Sequence, residues 1–169
     1  KGIVHMDIKP SNIMIENGCN IRLMDLGIAF THDAVDMTSP GLIGTPKYAA
    51  PEQHIEKGQQ FLSVDRTTDI YELGITLYEL LAGYNPFDSP SQEETLKKQR
   101  TEILPFVQGV PNAVIHVLRK ATAKVQGDRF QSAQEFKKAL QLAFPQPGSV
   151  STPGKWLIPV CLGCLVALI

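Results

Sequence analysis

Four polar residues near the start of the chain have side-chain types that suit phosphoryl chemistry. Asp7, Lys9 and Asn12 lie in the stretch HMDIKPSN, and Asp25 ends the stretch NIMIENGCNIRLMD. The carboxylate of Asp25 and the amide of Asn12 make an oxygen-only ligand set, which suits Mg²⁺ shared with phosphate groups. The second carboxylate, Asp7, suits a hydroxyl that is being deprotonated, and the ammonium group of Lys9 suits a phosphoryl charge.

A β-hairpin is the element that must bring these residues together. NIMIENGCNIRLMD has two short β-type runs around the Asn-Gly pair at 17–18, which favours a tight hairpin turn. Asn12 precedes the first run and Asp25 follows the second. Because the ends of an antiparallel pair meet at its open mouth, we expect Asn12 and Asp25 to be neighbours. Asp7 and Lys9 then lie on the loop that leads into the hairpin.

The sequence after the hairpin predicts mostly helices, so the predicted fold class is α+β, mostly α. TDIYELGITLYELLAG has a helical apolar period from Ile70 to Leu81, with a stop signal at Gly83. NAVIHVLRKATAK and SAQEFKKALQLAF predict two more helices, and the second begins with Ser132 and Glu135 in capping-box spacing. DSPSQEETLKKQR resembles a surface helix of mixed charge, for which a solvated face is the simplest interpretation.

Composition and charge exclude several function classes. The chain has 169 residues with a formal net charge of −1, so no overall attraction to nucleic acid is expected. Cys19, Cys161 and Cys164 are too few for a disulfide framework. The C-x-x-C formed by the last two has no second pair and lies among apolar residues. It is therefore interpreted as part of an apolar segment and not as a zinc or redox site.

Three regions differ in composition. Residues 1–144 mix charged residues with periodic apolar ones, whereas residues 145–155 (PQPGSVSTPGK) predict a linker. Residues 156–169 (WLIPVCLGCLVALI) carry no charge and follow Lys155, which is typical of a membrane interface. As a helix they would reach about 21 Å, against roughly 30 Å of bilayer hydrocarbon. We expect a truncated transmembrane helix; the alternative is a short buried helix.

Five motifs, in order, resemble those of protein kinases. HMDIKPSN is similar to the catalytic loop H-R-D-L-K-x-x-N, DLG at 25–27 to D-F-G, and GTPKYAAPE contains A-P-E. TDIYELGITLYELLAGYNPF resembles the central buried helix of the kinase large lobe, and DRF at 128–130 resembles its late Arg motif. The resemblance covers residues 1–144. It implies a bacterial, eukaryotic-like (Hanks-type) serine/threonine protein kinase, seen as its large C-terminal lobe.

The resemblance implies a role for each of the four polar residues. Asp7 would accept the proton of the substrate hydroxyl, and Lys9 would stabilise the transferring phosphoryl group of ATP. Asn12 and Asp25 would hold magnesium ions that bridge the ATP phosphates. The Lys two residues after Asp7, together with GTPKY, resembles kinases that act on serine and threonine. The implied partners are ATP and proteins with Ser or Thr hydroxyls.

The resemblance also implies structural supports. Thr45 would hydrogen-bond near Asp7 and Lys9. Asp69 would tie the central helix to the backbone of the catalytic loop. Glu52 and Arg129 would form a buried ion pair. His5, His32, His54 and His116 are interpreted as structural, the first as a residue that holds the loop backbone.

Two departures from the family pattern bear on regulation. Met6 stands where most members have the Arg that binds a phosphorylated activation loop. Without that positive charge a phosphorylated loop has less to bind, so we expect loop phosphorylation to be a weaker means of control. Leu26 replaces the Phe of D-F-G, a conservative apolar change. Thr38 and Ser39 are candidate phosphorylation sites between Asp25 and the A-P-E motif.

No G-x-G-x-x-G glycine-rich loop occurs in the sequence. We therefore expect a fragment that is inactive alone, with an apolar lobe-facing surface exposed. The expected parent is a single-pass protein of the plasma (inner) membrane with its kinase domain in the cytoplasm. One alternative is a non-catalytic membrane-anchored pseudokinase scaffold. The presence of all four polar residues argues against it, since a scaffold has no chemical need for them. Another is a kinase-fold phosphotransferase for a small molecule, against which the peptide-docking stretch GTPKYAAPE speaks.

Overall fold

The described part of the protein is mostly helical, with short antiparallel strand pairs. The computed structural model describes residues 3–16, 20–25, 41–55 and 64–144. This content agrees with the predicted α+β, mostly α class. The elements in chain order are strands β1 (Ile13–Glu16), β2 (Asn20–Leu23), β3 (Gly41–Leu42) and β4 (His54–Ile55) and helices α1 (Arg66–Ala82), α2 (Gln92–Thr101), α3 (Asn112–Ala121) and α4 (Ala133–Ala143).

Several predicted features lie outside the described residues. They are the hairpin turn at 17–18, Leu26, the candidate phosphorylation sites Thr38 and Ser39, the linker 145–155 and the apolar segment 156–169. Within the ranges that the structure describes, no helix combines the length and the apolar character needed to cross a membrane.

The predicted hairpin is confirmed by the pairing of β1 with β2. The two strands are antiparallel, and their register runs from Ile13 opposite Leu23 to Glu16 opposite Asn20. The pairing continues past the strand ends, because the backbone N–H of Met24 donates to the carbonyl of Asn12 at 2.7 Å. The two chain segments therefore stay together at the mouth of the hairpin. Four apolar side chains in the hairpin and the loop before it are exposed: Ile3, Met14, Ile15 and Met24.

Helix α1 is the centre of the described fold. It begins after Asp65, whose carboxylate accepts the N–H of Thr67, and it ends at Gly83, which has the left-handed φ of 78° that glycine adopts most easily. Every residue from Ile70 to Tyr78 is buried. A helix buried all round needs partners for its polar side chains, and α1 has several such residues.

The hydrophobic core forms where α3 packs on α1 and α4 packs on α3. The predicted apolar period of α1 contributes one side of this core. Aromatic and aliphatic side chains from the other elements fill the remainder. The largest buried contributions are Tyr71, Ile75, Tyr78, Phe87, Leu104, Val114, Ile115, Leu118, Phe136 and Leu140.

Helices α4 and α2 differ in detail from the expectations. At α4 the Ser132 hydroxyl accepts the N–H of Glu135 at 3.2 Å, as predicted, but the Glu135 carboxylate accepts from Gln131 N–H at 3.0 Å. The reciprocal half of the capping box thus binds one residue earlier than Ser132. Helix α2 is exposed over much of its surface, yet Leu96 and Gln99 are buried on its inner face.

The approach of α1 to α3 depends on Gly74. A Cβ atom there would lie 2.8 Å from Thr122 Cγ2 and 3.1 Å from Ala121 Cβ. Thr122 is held in place because its hydroxyl donates to the Leu118 carbonyl at 2.9 Å. The side chain at position 74 therefore has no space to occupy.

We expect Gly74→Ala to lower the free energy of unfolding. Overpacking of a core costs about 1–3 kcal/mol, which exceeds the roughly 1 kcal/mol that Ala gains over Gly in a helix interior. Urea unfolding measures the difference. Gly127→Ala is the matched control, since a Cβ at Gly127 meets no atom within 4 Å. A Gly74→Ala protein that is more stable than the wild type would contradict the close helix contact.

Candidate active site

The loop before the hairpin is held by Asp69 of α1. Its Oδ1 accepts the backbone N–H groups of His5 and Met6, each at 3.0 Å, and its Oδ2 also lies 3.0 Å from His5 N. Met6 has a left-handed φ of 63°, which is unfavourable for a residue with a side chain. Burial raises the pKa of Asp69, and the two N–H donors act in the opposite direction. The predicted contact between α1 and the loop backbone is present.

The side chain of Met6 is buried and packs with Val4 and Val64. An apolar residue therefore fills the position where the family resemblance places an Arg. Position 6 therefore provides no positive charge that could bind a phosphorylated segment.

His5 connects the loop to the end of β2, at the mouth of the hairpin. Its Nδ1 accepts the N–H of Asp7 at 3.3 Å, so its Nε2 is the atom that donates to the carbonyl of Met24 at 3.0 Å. The side chain is 3% exposed. His5 thus holds backbone on both sides of the site, as its structural interpretation predicts.

Asp7 lies at the centre of a compact polar cluster. Its Oδ1 accepts from the Thr45 hydroxyl at 2.7 Å, and its Oδ2 accepts from Lys9 Nζ at 2.8 Å and from Asn12 Nδ2 at 3.1 Å. Lys9 Nζ also donates to Thr45 Oγ1 at 2.7 Å. The structure therefore brings together Asp7, Lys9, Asn12 and Thr45, including the predicted contacts of Thr45.

Electrostatics keep the Asp7 carboxyl ionised. Burial acts to raise its pKa, but hydrogen bonds from Lys9, Thr45 and Asn12 and the positive charge of Lys9 outweigh burial, so the pKa lies below its usual value. A carboxylate with this environment is a weak base in the resting protein. It can still orient a hydroxyl and accept its proton once that hydroxyl is becoming acidic.

Asp25 follows β2 at the mouth of the hairpin. The residue before it, Met24, bonds the carbonyl of Asn12, so the expected closeness of Asn12 and Asp25 is reproduced along the backbone. Asp25 has a φ of 61°, and its side chain is exposed. Because Asn12 uses Nδ2 toward Asp7, its amide oxygen is the atom that would bind a cation. One amide oxygen and one carboxylate fit Mg²⁺, which keeps waters and takes further ligands from phosphate.

Within the described ranges, no group of three or more His, Cys, Asp and Glu could hold a metal ion. An all-protein metal cage is therefore not among the features of this part of the chain.

Glu52 and Arg129 form the predicted ion pair. The guanidinium donates to both carboxylate oxygens, at 2.7 and 2.8 Å, and both side chains are almost fully buried. Thr68 also donates to Glu52, and Arg129 donates to the carbonyl of Ala123. Removing one partner of such a pair costs about 3–5 kcal/mol, because the other charge is left buried alone.

Sequence reasoning missed two residues that contact the same loop. The Glu72 carboxylate accepts the N–H of Ile8 at 2.7 Å, and Gln53 Nε2 donates to the carbonyl of Met6 at 2.9 Å. Both side chains are fully buried. A signal was present, because Glu72 is an acidic residue inside an apolar helix and lies three positions after Asp69, on the same helix face.

Comparison with known proteins agrees with this geometry. A sequence profile of the protein kinase domain matches residues 1–162, and the chain belongs to the protein kinase family. The predicted family is therefore confirmed.

Relatives come from several bacteria. The chain is 37% identical over 161 residues to the serine/threonine-protein kinase Pkn1 of Myxococcus xanthus, covering 89% of this chain and 22% of that protein. It is 38% identical over 143 residues to a probable serine/threonine-protein kinase PknB of Bifidobacterium longum, covering 80% and 20%. It is 35% identical over 147 residues to the serine/threonine-protein kinase PrkC of Bacillus subtilis, covering 84% and 22%. The chain thus spans about a fifth of the length of these relatives.

We expect Thr45→Val to raise the pKa of Asp7, because the variant removes one of the donors that stabilise the carboxylate. The folded-state pKa is lowered, so this stabilisation is present above the ordinary aspartate pKa and is lost as the pH falls through the folded value. The ¹³C signal of the Asp7 carboxyl, followed over the acidic range, measures the pKa. Thr101→Val is the control, since that hydroxyl binds only its own helix at Lys97. An unchanged Asp7 titration in Thr45→Val would contradict the assignment.

Proposed function

We propose that the protein containing this chain is a serine/threonine protein kinase, which transfers the γ-phosphate of ATP to Ser and Thr hydroxyls of proteins. The observation that carries the proposal is the cluster in which Asp7 accepts from Thr45, Lys9 and Asn12 within 3.1 Å. The names of the bacterial relatives support the serine/threonine class. The described hairpin and helices are proposed to be the large lobe of the kinase domain.

In the proposed reaction the oxygen of the substrate hydroxyl attacks the γ-phosphorus of ATP. The bond from that phosphorus to the ADP oxygen breaks, ADP leaves, and the hydroxyl proton passes to Asp7. Because the pKa of Asp7 is low, the proton is transferred late, when the attacking oxygen has become acidic. Lys9, which pairs with Asp7 at 2.8 Å, stabilises the negative charge of the transferring group.

The amide oxygen of Asn12 and the carboxylate of Asp25 are the proposed magnesium ligands. Bound Mg²⁺ would neutralise charge on the ATP phosphates. The chain itself fixes Asn12, because Asn12 Nδ2 donates to the Asp7 carbonyl at 2.9 Å. It also holds Asp25 at the hairpin mouth.

We expect Asp7→Asn to lower the rate of phosphotransfer by about 10²–10⁴-fold, the usual contribution of a positioned acid or base. The assay measures transfer of labelled γ-phosphate to a protein substrate by the full-length natural protein. Asp128→Asn, at an exposed aspartate, is the control and should keep full activity. An unchanged rate in Asp7→Asn would contradict the role of Asp7. A full-length wild type that transfers no phosphate would favour the alternative of a pseudokinase scaffold.

Membrane attachment through residues 156–169 is part of the proposal, with the kinase domain on the cytoplasmic side of the inner membrane. The support is the uncharged sequence of that segment and the preceding Lys155.

We expect the natural protein to sediment with membranes and to require detergent for release. Release by salt alone would contradict an inserted helix.

A further inference from the structure

A buried carboxylate lies directly against the loop that carries Asp7 and Lys9. Glu72 is fully buried, and its Oε2 accepts the N–H of Ile8 at 2.7 Å. One turn further along α1, the Thr76 hydroxyl donates to the carbonyl of the same Ile8 at 3.1 Å. Helix α1 therefore holds both main-chain polar groups of the residue that separates Asp7 from Lys9.

The orientation of the carboxylate is set from the other side by Gln53. Its Oε1 accepts the N–H of Ala50 at 2.6 Å, which identifies Nε2 as the donating end. Nε2 faces Met6 O at 2.9 Å, Ile43 O at 3.1 Å and Glu72 Oε1 at 2.9 Å. A flipped amide would direct its oxygen at two carbonyls and a carboxylate, so the observed orientation is the only satisfied one.

The backbone of Gly44 packs closely against Met6 and Gln53. Gly44 has a φ of 94°, and a Cβ there would lie 2.6 Å from Met6 O and 3.0 Å from Gln53 Nε2. The segment that contains Thr45 thus passes directly over Gln53. We expect a displacement of Gln53 to disturb the backbone next to Thr45 as well.

Hydrogen-bond donors meet both oxygens of Glu72. A carboxylate can accept on both atoms, whereas an amide would turn an NH₂ group toward either Ile8 N–H or Gln53 Nε2. Position 72 therefore requires an acceptor at both side-chain atoms, which Glu supplies and Gln, of the same length, does not.

Glu72 is unfavourable for stability considered alone. Burial raises its pKa well above the usual value; the donors Ile8 and Gln53 oppose this, and the carboxylates of Asp69 and Asp7 add to it. Well-packed apolar residues often replace buried charges without loss of stability. We therefore explain the burial of Glu72 by the backbone geometry that its hydrogen bonds impose on the loop.

We propose that Glu72 is a positioning residue for phosphotransfer, which fixes the Ile8 peptide and so sets the relative placement of Asp7 and Lys9. The inference rests on the proposed kinase function. Glu72 does not touch the reacting groups; it acts through the backbone on which they are carried. Small misplacements of such groups can reduce a rate by about 10²-fold.

The test compares wild type, Glu72→Gln and Glu72→Asp in the full-length natural protein. Glu72→Gln places an NH₂ donor against the N–H of Ile8 or the Nε2 of Gln53. Glu72→Asp keeps the carboxyl group but shortens its reach to Ile8. In both variants we expect kcat to fall by about 10- to 100-fold, with KM for ATP and for the protein substrate nearly unchanged. Glu135→Gln is the matched control, since that carboxylate also accepts a backbone N–H but lies on α4.

Amide hydrogen exchange provides a readout that does not depend on activity. We expect faster exchange in residues 5–9 of both variants, with no change in α3 and α4. If the wild type transfers no phosphate but the loop still exchanges faster in the variants, the proposed function fails and the positioning contact stands. Unchanged exchange in the loop, an unchanged kcat in an active enzyme, or faster exchange throughout the protein would each overturn the inference.

Discussion

The site depends on hydrogen bonds between the main chain of one irregular loop and the carboxylates of one buried helix. Residues 4–8 are buried, so their N–H groups need partners, and a loop cannot satisfy them by regular pairing. Asp69 binds the N–H groups of His5 and Met6, and Glu72 binds that of Ile8. These bonds stabilise the left-handed conformation of Met6 and thereby direct Asp7 toward Thr45.

Three segments that are far apart in the chain meet at this loop. Helix α1 holds its backbone, the hairpin end is joined to it through His5 and Met24, and the 41–55 segment reaches it through Thr45 and Gln53. The same 41–55 segment is tied to the connection between α3 and α4 by the bond between Glu52 and Arg129. We expect changes at Asp69, His5 and Thr45 to affect Asp7, because these residues bond directly to Asp7 or to the loop that carries it.

This arrangement places several ionisable groups inside the protein. Glu72, Glu52 and Arg129 are buried and Asp69 is half-buried, and each needs donors or a counter-charge in this position. An apolar core would be simpler to pack, but it could not orient main-chain N–H groups. The pKa values of Asp69 and Glu72 are raised by burial, whereas that of Asp7 is lowered by its donors, so the acid nearest the proposed chemistry stays ionised.

The sequence by itself determined the hairpin, the central helix and the identity of the principal polar residues. Strand pattern and turn residues are local, and so are the apolar period of α1 and its Gly83 stop. The contacts of Thr45, Asp69 and the Glu52–Arg129 pair were expected from the ordered motifs of a resembling family, not from local pattern. Only the tertiary structure decided the roles of Glu72 and Gln53. Glu72 binds a backbone N–H that is 64 residues away in the chain, and every residue except proline carries such a group. No sequence pattern can mark that partner; it is chosen when the helix and the loop pack together.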